Sequence, residues 1–209
     1  MEQKDEWKLG RWSGIDVSVH WTALLVFPWL LLWFRDPLFA LIGTVGYIIL
    51  HLVHEAGHVY MARRYKRYVE SISIRGLHSH TEIATYGTHR EDVYIAWGGV
   101  LAQLLLMVPA YLLEPYLYHS GNRWLITALA PFAFMFTSWN LFLMVVALLP
   151  IGPMDGQQAW GVISLVKHWW KKKMKKAGSR KLTVQKREAL EKSSAVVAKD
   201  IIRRVSRVD

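Results

Sequence analysis

Cysteine is absent from the 209 residues, which excludes a disulfide framework and leaves the redox compartment unread. Acidic residues are scarce as well: 16 Asp and Glu stand against 26 Lys and Arg, for a net charge of +10. The opening stretch MEQKDEWKLGRW is polar and the first apolar segment lacks a small-residue cleavage site. No cleavable signal peptide is therefore expected, and that segment should stay as a membrane anchor. Apolar residues are plentiful: they make up 53% of the chain, with 11 Trp, and the mean hydropathy of +0.15 is high for a soluble protein. Such a composition can coexist with the charge only if the two residue classes are segregated. They are: apolar blocks fill Val19 to Leu149, and Lys and Arg crowd between and after them. A basic excess can indicate nucleic acid, or anionic headgroups and orientation signals at a bilayer. With several apolar blocks present, the bilayer is the expected partner and nucleic acid is not.

A helix needs about 20 mostly apolar residues to cross a bilayer. Four segments approach this: Val19–Phe34, Leu38–Ala62, Val93–Leu113 and Trp124–Leu149. The second is interrupted only by His51, His54, Glu55 and His58, and the fourth carries Asn140 near its middle. Small residues at Gly43, Gly46, Gly57, Gly98 and Gly99 would let helices approach closely. The basic clusters RRYKRY and KKKMKK follow the second and fourth segments, and Lys4, Lys8 and Arg11 precede the first. The remaining connections hold only Arg35 and Arg123. Four crossings with both termini in the cytoplasm place every basic cluster on the cytoplasmic side. The expected location is a cytoplasmic membrane of bacterial type.

Between the second and third segments, VESISIRGLHSHTEIATYG alternates polar and apolar residues and is rich in β-branched ones. It reads as a short hairpin at the membrane surface. Pro150, Gly152 and Pro153 should end the fourth helix. An amphipathic piece resumes near Gln157 and ends at Trp169-Trp170. From Lys181 onward Leu190, Val197, Ile201 and Val205 recur at helical spacing, so the tail is expected to be one amphipathic helix. It would bind a regulatory partner, lie on anionic lipid, or stand as a solvated basic helix.

The chemistry centres on His54-Glu55-Ala56-Gly57-His58. On a helix, positions i and i+4 share a face, so both imidazoles can take one metal ion. The carboxylate beside the first His can accept a proton from a water that zinc has acidified. Unpaired ionisable groups inside a membrane helix are costly, so three within five residues imply a metal or a polar cavity. A catalytic zinc takes a third protein ligand, and Asp155 in LLPIGPMDGQ is the candidate. It lies at the cytoplasmic end of the fourth segment, at a depth similar to that of the His pair. Other divalent metals fit the same donor set. His51 is expected to line the cavity or support a ligand, and His78, His80 and His89 to be surface residues.

From Leu38 to Gly156 the chain resembles the site-2 proteases, intramembrane zinc metalloproteases with a three-helix core. HEAGH matches their zinc-binding motif, and LLPIGPMDG is similar to their second motif, whose Asp is the third ligand. IAWGG is similar to their Ala-Gly-Pro segment, with Gly99 in place of Pro, and the hairpin sits where they carry a membrane-associated β element. The resemblance implies an all-α polytopic membrane protein of about four transmembrane helices with a short membrane-surface β-hairpin. It also implies one zinc ion held by His54, His58 and Asp155, with Glu55 as general base. The implied activity is cleavage of transmembrane or membrane-proximal segments of other membrane proteins. The organisation would be a cytosolic segment at 1–18, the metalloprotease domain at 19–170 and a basic cytosolic tail at 171–209. The usual Asn before Leu-Leu-Pro is replaced by Ala147, which leaves Asn140, about two turns earlier, as the candidate for holding the reacting carbonyl, with His51 and Gln103 as other nearby donors. Ala147 and Gly99 also motivate an alternative, a non-catalytic relative that binds and regulates membrane proteins. The retained Glu55 speaks against it.

Overall fold

A computed structural model of the chain describes residues 6–76, 79–152 and 154–205, without some side chains of the C-terminal helix. Of the residues singled out above, His78 and Pro153 lie outside the described set. Two units are resolved, Met1–Val162 and Ile163–Asp209.

The first unit opens with strands β1 (Glu6–Trp12) and β2 (Ile15–His20), where alternation along Ile15, Val17 and Val19 buries one face. The 3-10 turn Trp21–Leu25 and helix α1 (Val26–Phe34) follow. Helix α2 (Pro37–Arg64) starts where Asp36 accepts from the amides of Leu38 and Phe39, with Pro37 in the first turn, where no intrahelical partner is needed. Strands β3 (Val69–Ile74) and β4 (Ser79–Ile83) come next. Helix α3 (His89–His119) is opened by a reciprocal cap between Thr88 and Glu91.

The third long helical segment is α4 (Arg123–Phe134), a π turn (Met135–Trp139) and α5 (Asn140–Ala147). The π turn follows Pro131, and the Asn140 amide donates to the Phe136 carbonyl at 3.2 Å. A short helix α6 (Gly156–Ala159) follows the break. Helix α7 runs unbroken from Gly161 to Val205, and most of it forms the second unit. The amphipathic piece and the tail are thus one helix. Leu190 is exposed on it, and the side chains of Val197, Ile201 and Val205 lie outside the described set.

Pro37–Arg64, His89–His119 and Arg123–Ala147 are long and apolar enough to cross a membrane, and Trp21–Phe34 is a shorter apolar helix. Leu101, Leu105, Val108 and Leu112 form an exposed stripe on α3, with Leu105 at 77% exposure. In water such a stripe would be a liability; in hydrocarbon it is the lipid-facing side.

The expected hairpin is part of a larger sheet of order β1-β2-β3-β4, with β2 and β3 parallel and the other pairs antiparallel. The N-terminal segment therefore builds two strands, and Val19 and His20 belong to β2 rather than to the first apolar helix. The reason is their alternation of period two, which suits a half-buried strand. Glu6 secures the arrangement from β1: its carboxylate accepts from Ser18 at 2.7 Å, from Ser73 at 2.8 Å and from Arg75 at 3.0 Å. Burial opposes ionisation of Glu6, but these three donors outweigh it and hold its carboxyl below the usual range.

Candidate metal centre

Helix α2 carries His51, His54, Glu55 and His58 at spacings of three and four, so all four project on one side. That side faces α3. The two helices cross where Gly57 meets Gly98: a Cβ on Gly57 would stand 2.2 Å from the Gly98 carbonyl oxygen, and one on Gly98 2.5 Å from that of Gly57. Any side chain at this crossing would force the helices apart.

The close crossing brings acceptors on α3 to the outer nitrogens of both imidazoles. His54 Nδ1 lies 3.0 Å from Gln103 Oε1, and His58 Nδ1 lies 2.7 Å from the Ile95 carbonyl oxygen. A carbonyl can only accept, so each Nδ1 carries the proton and donates it. Each Nε2 is then left as a bare lone pair turned inward.

The third donor arrives from the chain break after α5. Trp160 Nε1 donates to the Leu148 carbonyl at 2.8 Å, and Trp97 Nε1 donates to the Ala159 carbonyl at 3.0 Å. These bonds pin the segment between α5 and α6 against α3. Asp155 begins α6 through its backbone, its carbonyl accepting from Gln158 and Ala159, while its side chain turns to the histidines. Asp155 Oδ2 lies 3.0 Å from His54 Nε2 and 3.2 Å from His58 Nε2, and the two Nε2 atoms are 3.0 Å apart.

Two imidazole nitrogens and a carboxylate oxygen thus face one another across a triangle of 3.0 to 3.2 Å, an arrangement that needs a proton or a metal cation between them. An ion in tetrahedral coordination at about 2.0–2.1 Å has ligand–ligand edges of roughly 3.3 Å. The triangle is within a few tenths of an ångström of that. His54, Glu55 and His58 also form a buried group whose donor atoms lie within 4.8 Å of one another. The residues present therefore fit a metal ion.

Glu55 is 1% exposed, with Oε1 4.0 Å from His54 Nε2. Its two carboxylate oxygens accept from the hydroxyls of Ser79 and Thr81 on β4. A cavity of about 420 Å³ opens beside it, lined by β4, by Ile95 and Ala96 of α3, and by Met154, Asp155, Gln157 and Gln158. The side chain of Asp155, at 25% exposure, is the most accessible of the group.

The sequence-derived candidates divide. His54, Glu55, His58 and Asp155 come together. Asn140 is fully buried, and its amide donates to the Gln103 and Phe136 carbonyls at 3.0 and 3.2 Å. Both amide hydrogens are spent on the backbone, so Asn140 braces the turn of α3 that carries Gln103 and has no donor left for a reacting carbonyl. His51 is buried, with Nδ1 3.1 Å from the Tyr47 carbonyl oxygen and the ring against Tyr47. His80 and His89 are exposed. Ser79, Thr81, Trp97 and Trp160 were not legible as site residues. Hydroxyls at alternate positions of β4 share a face, but nothing in the sequence says which face meets Glu55.

No protein-family model matches the sequence, and no curated relative is found by sequence. By structure, the chain is similar to the site-2 protease from Methanocaldococcus jannaschii, with 20% identity and a TM-score of 0.55 over 76% of this chain and 71% of that one. At that identity the likeness speaks to fold, and it agrees with the motifs in order along the chain: this protein has a site-2-protease-like fold.

Proposed function

We propose that this chain is an intramembrane zinc metalloendopeptidase that cleaves transmembrane or membrane-proximal segments of other membrane proteins. The convergence of two Nε2 lone pairs and the Asp155 carboxylate beside a buried glutamate carries this reading. His54, His58 and Asp155 would hold the ion. Bound zinc would supply Lewis acidity, polarising the scissile carbonyl and making water a nucleophile near neutral pH. Glu55 would take the proton of the attacking water and deliver it to the leaving amine. Gln103 and the Ile95 carbonyl keep the imidazoles in the tautomer that ligation needs.

A helical substrate must be unwound before attack, because its carbonyls are otherwise hydrogen-bonded. Strand β4 ends the described sheet and lines the cavity, so pairing along its free edge suits an extended substrate. Strands β2 and β3 support the expected membrane topology. They pair with each other although α1 and α2 intervene, so the chain leaves and returns on one side. The basic clusters assign that side to the cytoplasm, together with both termini, and the basic tail would meet anionic lipid or a regulatory partner there.

The test is reconstitution of the purified protein with a membrane-spanning substrate, with and without chelator, beside Glu55→Gln. Cleavage should require both the metal and Glu55. Equal cleavage in all three samples would sink the proposal. Stoichiometric zinc without cleavage would favour a binding-only relative, the reading that Ala147 motivates.

A further inference from the structure

Strand β4 reaches the glutamate as well as the cavity. Ser79 and Thr81 occupy alternate positions of β4 and so share a face, while His80 between them and Glu82 after them are exposed. Ser79 Oγ donates to Glu55 Oε1 and Thr81 Oγ1 donates to Glu55 Oε2. The carboxylate is thereby held at both oxygens by one strand. A buried carboxylate without donors would carry a large desolvation cost and would be free to rotate. Each of its oxygens can accept more than one hydrogen bond, so acceptor capacity remains for a water on the metal side. Both of these donors come from β4, which the sheet brings to the helix: β4 pairs with β3, and β3 with β2.

We propose that Ser79 and Thr81 are positioning residues for Glu55, so that the strand offering its edge to a substrate also orients the base that attacks it. This rests on the reading of Glu55 as general base. Replacing both hydroxyls should release the carboxylate and lower turnover by about ten- to a hundredfold, the usual scale for groups that orient a reacting residue. KM and bound zinc should not change. The exchanged pair, Ser79→Thr with Thr81→Ser, keeps both hydroxyls and should recover most of the rate.

A second readout does not depend on turnover. In metal-free protein, the infrared carboxyl band of Glu55, assigned by difference against Glu55→Gln, should shift in Ser79→Ala/Thr81→Ala and stay in place in the exchanged pair. The single variants carry the same test with a smaller disturbance to the strand. An unshifted band with unchanged kcat overturns the positioning role and leaves the protease reading standing. A raised KM at constant kcat also overturns it, assigning the hydroxyls to substrate binding. A shifted band in a protein that cleaves no substrate even as wild type leaves the contact standing and overturns the protease reading instead.

Discussion

A Cβ built on Gly99 would stand 2.5 Å from Nε2 of His58, the atom that faces Asp155 and the candidate metal position. The same Cβ would lie 2.6 Å from Cε1 of His54, so α3 runs flush against both imidazoles and leaves no room for a side chain. Gly99→Ala should therefore push the rings out of their triangle while leaving the chain helical. Bound zinc at a fixed free concentration should fall by about tenfold or more, the scale set by disturbing groups that support a ligand. Metal analysis beside circular dichroism checks this, and unchanged zinc content would contradict the geometry.

Gln103 meets His54 on the side of the ring away from Asp155. Gln103→Leu removes the acceptor of the His54 Nδ1 proton and lets the ring rotate or change tautomer. Zinc affinity should drop by about ten- to a hundredfold, measured by competition with a chromophoric chelator, while Glu55 and β4 stay in place. Gln103→Glu, which keeps an acceptor, should lose much less.

Asp155 supplies the only carboxylate in the triangle of acceptors. Zinc at about a hundred times its dissociation constant stabilises a folded protein by about 2.7 kcal/mol. It should raise the melting temperature of the detergent-solubilised wild type, and a chelator should reverse the rise. Asp155→Ala should show almost none of it. An equal rise in the variant would remove Asp155 from the ligand set.

Asn140 decides between bracing and catalysis. Asn140→Leu removes the side-chain donor to the Gln103 and Phe136 carbonyls in a buried setting, at a cost of about 0.5–1.5 kcal/mol for each bond. Turnover per folded molecule should stay close to that of wild type. Unaltered melting with a loss of about a hundredfold in kcat would instead mark Asn140 as a donor to the reacting carbonyl.

Glu6 makes the sheet sensitive to acid. Its folded-state pKa is lowered, so its stabilising contribution is present above the unfolded value of about 4.3 and is lost as pH falls through the folded value. The difference in melting temperature between wild type and Glu6→Gln should be largest near about pH 6 and shrink toward about pH 3. A difference independent of pH would show that the carboxylate charge plays no part.

The sequence by itself determined what depends on local periodicity and composition. The spacing of His54, Glu55 and His58 puts them on one side of α2 because a helix repeats every 3.6 residues. Asp155 stood out because Pro150 and the residues after it break a long apolar segment just before it. Tertiary structure decided the rest. The alternation of Ile15, Val17 and Val19 lies in the sequence, but that this run joins the later hairpin in one sheet is decided by β2 pairing with β3, more than fifty positions away along the chain. The acceptor for His58 is a backbone carbonyl, which any residue at position 95 would provide, so no side chain records it. The room that Gly99 leaves and the partners that Ser79 and Thr81 find are set by how α3 and β4 meet α2. Such meetings are contacts between distant segments, and a single sequence carries the side chains for them without the distances.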